Sequence, residues 1–114
     1  MAMRLNQELI EEWWRERRDG GIYRSDRSID DPAWDRAIEV DRFVSESAAS
    51  ADDLPTVLML LVQGAASDEE LAFIGTTQLE NAFHSGLGEA ALAVLDSLPL
   101  TEHQRDTILS GFQR

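Results

Sequence analysis

Apolar residues recur three and four positions apart through most of the chain, the spacing of one face of an α-helix. Leu9, Ile10, Trp13 and Trp14 form the first such set and predict a helix over residues 6–18, supported by acid-to-base pairs four apart such as Glu11 and Arg15. Gly20-Gly21 supplies the stop and residues 22–28 read as a loop. Asp31 and Pro32 fit the cap and first turn of a second helix, with Trp34, Ala37, Ile38, Val40 and Val44 as its apolar face and Phe43 flanking it. The small and polar stretch 45–53 reads as a helix end and a linker. A third helix follows Asp53, with Pro55 in its first turn and Gly64 near its end. Residues 57–62 are six consecutive apolar residues, for which periodicity cannot separate helix from strand. A lone strand would have no partner here, so this segment reads as a central buried helix.

The C-terminal half is marked by local signals. Ser67 with Glu70, Thr77 with Glu80 and Thr101 with Gln104 each match the capping box, in which a hydroxyl and a side chain three residues later satisfy each other's backbone amides. These pairs predict helices over 68–74, 78–84 and 102–112, with a further one over 89–97. Gly75, Gly86, Gly88 and Pro99 punctuate them, and Gly86-Leu87-Gly88 reads as a helix–helix turn. On this pattern Glu80 is a structural residue, and Glu80→Ala is expected to cost about 1 kcal/mol. No exact internal repeat is visible. The expected fold is all-α: residues 1–114 as one domain, a helical bundle or a short solenoid-like stack of six to seven helices.

Charge changes the picture. The chain has 22 acidic residues against ten basic ones, all arginine, for a net charge of −12. Eight of the arginines lie in the first 42 residues beside eleven acids, whereas residues 43–104 hold ten acids and no arginine. Such a surface repels nucleic acid and anionic membranes and attracts basic partners. A helix-turn-helix over residues 68–91 is excluded on the same ground, because it would carry no phosphate-binding cation. The absence of cysteine excludes disulfides and thiolate metal sites. No apolar run approaches the ~20 residues of a membrane span, and the start of the chain lacks the apolar core of a secretory signal, so the expected location is cytoplasmic.

Candidate chemistry is sparse. His84 and His103 are the two histidines; Glu80 and His84 share a helix face, but no further ligands are recognisable, so no metal or other cofactor is expected. Glycine-rich phosphate loops and nucleophile-elbow motifs are absent, and the serines and threonines fall mostly at cap positions. The chain therefore does not read as an enzyme; an unrecognised carboxylate pocket is the form an activity would take. Trp13, Trp14 and Trp34 invite an interface reading, but closure of the N-terminal side of the core by all three is the preferred one. Since adjacent helical residues point about 100° apart, one of Trp13 and Trp14 is a candidate for exposure to a partner.

Over residues 69–83, Glu-Glu-Leu-Ala-Phe-Ile-Gly-Thr-Thr-Gln-Leu-Glu-Asn-Ala-Phe, the chain resembles a family of uncharacterised small bacterial domains with a G-x-x-x-L-E-x-x-L/F core, here Gly75 to Phe83. The resemblance implies a bacterial all-helical domain with a tryptophan-bearing helix before the core, and it implies no catalytic activity. Thr76-Thr77-Gln78 departs from the small residues and proline that the family often has after the glycine.

The expectation that follows is a small acidic interaction protein of the immunity or antitoxin kind, binding a basic protein partner such as a toxin. The candidate contact residues are Asp52, Asp53, Asp68, Glu69 and Glu70. The alternative is a structural or regulatory helical module that forms a homodimer through Trp13 and Trp14.

Overall fold

The computed structural model describes residues 3–18 and 32–112, and of residues 33 and 34 the backbone alone. Described residues outside turns and connections are helical: α1 (Gln7–Arg18), α2 (Pro32–Ala48), α3 (Leu54–Gly64), α4 (Asp68–Ile74), a π-helical turn (Gly75–Leu79), α5 (Glu80–His84), α6 (Gly88–Ser97) and α7 (Glu102–Phe112). The all-α bundle expected from the pattern is what forms. Its radius of gyration of 13.9 Å is close to the about 13 Å of a packed domain this long. The Gly20-Gly21 stop, the 22–28 loop, the Asp31 cap and the Trp34 side chain lie outside the described residues.

The helix starts follow from their caps. Asn6 Oδ1 accepts the Leu9 amide at 2.9 Å and opens α1. Ser67 Oγ accepts the Glu70 amide at 3.2 Å and opens α4. At α7 the reciprocal box is complete: Thr101 Oγ1 accepts from the Gln104 amide and Gln104 Oε1 accepts from the Thr101 amide. Between α5 and α6 the Leu87 amide donates to Ala82 O and the Gly86 amide to Phe83 O, a Schellman closure that requires Gly86 at φ 79°.

The third box, Thr77 with Glu80, does not form. The Thr77 hydroxyl donates instead to Phe73 O at 2.8 Å, and Glu80 is exposed, with its carboxylate 3.4 Å from His84 Nε2. Gly75 does not end a helix either; its φ and ψ of −61° and −39° are helical. The chain runs on from α4 through the π turn into α5. The cause is a tertiary one. A Cβ on Gly75 would collide with the carbonyl oxygen of Ile108, and one on Gly111 with that of Ala72. Two glycines thus let the backbones of α4 and α7 touch, and Thr76 Oγ1 lies 3.0 Å from Gly111 O across the crossing.

The core gathers around α3, which packs against α1, α2, α4 and α6. Leu54, Val57, Leu58 and Leu61 have no exposed surface. The segment 57–62 is nevertheless not enclosed on all sides, because Met59 is 36% exposed and Val62 partly so. Both Trp13 and Trp14 are interior, at 6% and 0% exposure, as the preferred reading of core closure expects; the alternative, that one of them faces a partner, is not met. They meet edge to face at 4.9 Å and find different neighbours. Trp13 Nε1 donates to Asp41 of α2 and Trp14 Nε1 to Leu61 O of α3. Because α1 is flanked by helices on two sides, two directions 100° apart are both inward.

Candidate interaction surface

The five candidate carboxylates fall into two groups at opposite ends of α3. The helix has 11 residues and is therefore about 16 Å long. Asp52 and Asp53 sit in the turn before it, and Asp68, Glu69 and Glu70 open the helix after it.

At the first end, successive turn hydrogen bonds from the Ser50, Asp53 and Leu54 amides carry the chain from α2 into α3. Asp53 occupies the cap position of α3, but its side chain makes no capping bond, and the helix starts on Pro55 in its first turn instead. Asp52 and Asp53 are both exposed, and no cation or amide among the described residues engages their carboxylates.

At the second end the acids differ. Glu70 is the most engaged: Oε2 accepts from Arg18 Nε at 2.8 Å, Oε1 from Arg18 NH2 at 2.7 Å, and Oε1 also from the Ala66 amide at 2.7 Å. The fork of hydrogen bonds from Arg18 holds its carboxyl below the usual carboxylate range, against the effect of partial burial and with help from the Ala66 amide and the charges of Arg18 and Arg17. The same guanidinium donates to Gly64 O at 2.8 Å, closing one of the carbonyls that the end of α3 leaves open. Glu70 is thus a strut between α1, α3 and α4 more than a contact for a partner. Asp68 Oδ2 lies 2.8 Å from His103 Nε2 and ties the start of α4 to the start of α7, both side chains remaining well exposed. Glu69 is exposed and borders a shallow cleft of about 260 Å³ with Arg17, Arg18, Ser67 and Phe73. Arg17 lies over the Phe73 ring at 4.1 Å from its centre, a cation–π contact.

A wider groove of about 800 Å³ is lined by Met3, Arg4, Asn6, Glu8, Leu9, Glu12 and Arg36. Arg36 grips Glu12 through two hydrogen bonds of 2.7 and 2.9 Å, and this, chiefly, lowers the Glu12 pKa. Among the described residues the two carboxyl groups with displaced ionisation, Glu12 and Glu70, are both held in the charged form, the reverse of what a general acid needs. Among the described residues no three histidine or acidic side chains converge as metal ligands, and no helix is long and apolar enough to cross a membrane.

One feature of this surface escapes the sequence pattern. The outward positions of α3 are Pro55, Thr56, Met59 and Gln63, and none is charged. Within a run of six apolar residues, periodicity gives no sign of which one faces out; the five that pack more tightly decide it. Comparison of the chain with protein-family models, with curated proteins and with solved structures finds no match.

Proposed function

We propose that this chain is a small acidic interaction protein, of the immunity or antitoxin kind, that covers the basic surface of a protein partner in the cytoplasm. The observation that carries this reading is that three of the candidate carboxylates, Asp52, Asp53 and Glu69, are exposed and form no ion pair among the described residues, in a region of 62 residues that contains no arginine or lysine. Carboxylates left free by their own chain keep their field available for steering a cation-rich partner. Asp68 shares its charge with an exposed histidine and can join them. Glu70 contributes least, since Arg18 already neutralises it. The same field disfavours nucleic acid, whose phosphates carry the like charge. The resemblance of residues 75–83 to small bacterial helical domains agrees with a compact binding module and brings no activity with it.

The test is affinity capture from the source cell at low and high salt, with wild type beside a variant carrying Asp52→Asn, Asp53→Asn and Glu69→Gln. A basic protein should be recovered at low salt, lost as salt rises, and recovered less by the variant. Recovery of no basic protein, or binding indifferent to salt and to the three substitutions, overturns the reading.

A further inference from the structure

Among the described residues Gln78 is the one large polar side chain in the interior, at 1% exposure, and it lies in the π turn. Its Oε1 accepts from Asn81 Nδ2 at 2.9 Å, and its Nε2 lies 3.5 Å from Ser45 Oγ of α2. Leu79 beside it is fully enclosed in the apolar core. Phe83 packs against that core and stacks on Phe112 of α7 at 4.4 Å, while Glu80 and His84 are exposed. This distribution depends on the π turn. A π turn closes i→i+5 hydrogen bonds where an α-helix closes i→i+4, so it holds one residue more. Each residue after it is turned by about 100° from its place in an uninterrupted α-helix.

The α register is therefore an alternative setting of the same segment, in which every side chain from Gln78 to Phe83 takes the place now held by its successor. Gln78 would enter the place of Leu79 in the apolar core and leave the seam with Ser45. Leu79 and Phe83 would take the exposed places of Glu80 and His84, and Ala82 would stand where Phe83 now meets Phe112. A buried amide without partners and two apolar side chains in water all disfavour that setting. The Gly75 contact with α7 lies at the start of the turn, so it keeps the chain helical without choosing the register. We propose that residues 75–83 form a register device, in which the pairs Gln78-Leu79 and Ala82-Phe83 hold the π setting and keep a charged rather than an apolar face of α5 on the surface.

The experiment exchanges neighbours. One variant carries Gln78→Leu with Leu79→Gln, a second Ala82→Phe with Phe83→Ala, and a third all four. Ser85→Gly is present in every variant and in the reference, because the α register brings residue 85 to the left-handed place of Gly86. Each two-residue exchange misplaces a side chain in both registers. The first puts a glutamine in the core in the π setting and Phe83 in water in the α setting. The second overfills the enclosed place of Ala82 in the π setting and buries Gln78 in the α setting. Each should lower the folding equilibrium constant by more than about tenfold. All four together fit the α register, so the third variant should be more stable than either of the others, a coupling of the kind that residues of one packing unit show. In NMR spectra the ring introduced at position 82 should contact Phe112, as Phe83 does in the reference. A third variant no more stable than the other two, including one that does not fold, overturns the device. So does one in which the ring at position 82 stays away from Phe112.

Discussion

Glu70 and Glu80 look alike in the sequence, each three residues after a hydroxyl side chain at a plausible helix start, yet the structure gives them opposite roles. Glu70 holds Arg18 and the Ala66 amide, so its charged form is stabilised by folding and its pKa is lowered. A carboxyl with a depressed folded pKa adds stability that is fully present above its unfolded pKa, near ~4.3, and is lost as pH falls through the folded value. The expected result is that Glu70→Gln is less stable than wild type at neutral pH, by no more than about 1 kcal/mol because Arg18 is well exposed. The gap should shrink below about pH 4 and vanish in stronger acid. Urea denaturation across pH measures it; a gap that persists at low pH would mean that the ion pair is not its source. Among the described residues Glu80 pairs only with His84, on an exposed face. Glu80→Ala should therefore stay within about 0.5 kcal/mol of wild type, whereas Ser67→Ala, which removes a real cap, should cost about 1 kcal/mol. Thermal melts of these two variants separate the roles directly.

At the scale of elements, the contact between the π turn and α7 decides the course of residues 68–84. A Cβ at position 111 would enter the carbonyl of Ala72, which is backbone and cannot swing aside. Gly111→Ala should therefore destabilise by about 3 kcal/mol or more, the upper range for overpacking, while Ser110→Ala, on an exposed position next to it, should be nearly neutral. Denaturant midpoints check this, and a mild Gly111→Ala would mean that α7 can slide on α4. The crossing also explains what the sequence did and did not reveal. The starts of α4 and α7 were legible to the residue, because Ser67 and Thr101 act locally on the turn that follows them. The Thr77 pattern misled because the chain stays helical through Gly75, whose close approach to Ile108 of α7 is a tertiary contact, and inside a helix the Thr77 hydroxyl bonds back to Phe73 O instead of capping a new start. The candidate carboxylates were likewise legible as a charge bias, but not as two groups divided by α3. Nor could the pattern show that Arg18, 52 residues away in the chain, removes Glu70 from the free set.

For the whole molecule the open choice is between a monomer that meets a basic partner and a dimer built on the tryptophans of α1. Trp14 is fully enclosed and donates to Leu61 O from α3, and Trp13 is pinned to Asp41 of α2. An interface through these rings would first require α1 to leave the bundle, exposing Leu9 and Ile10 as well. A net charge of −12 adds a like-charge barrier to any close pairing of copies. Sedimentation at moderate salt should accordingly find a species near 12.8 kDa. Trp14→Ala should then act as a core truncation, lowering stability by about 3–5 kcal/mol, with no change in association before unfolding sets in. A dimer in the wild type that Trp14→Ala converts into folded monomers would reverse the choice. Salt separates the two cases again: screening shortens the reach of charge to about 8 Å at physiological ionic strength. It should relieve the self-repulsion of the acidic chain and raise its melting temperature while weakening its hold on a basic partner. A tryptophan-mediated dimer would instead tighten as salt rises.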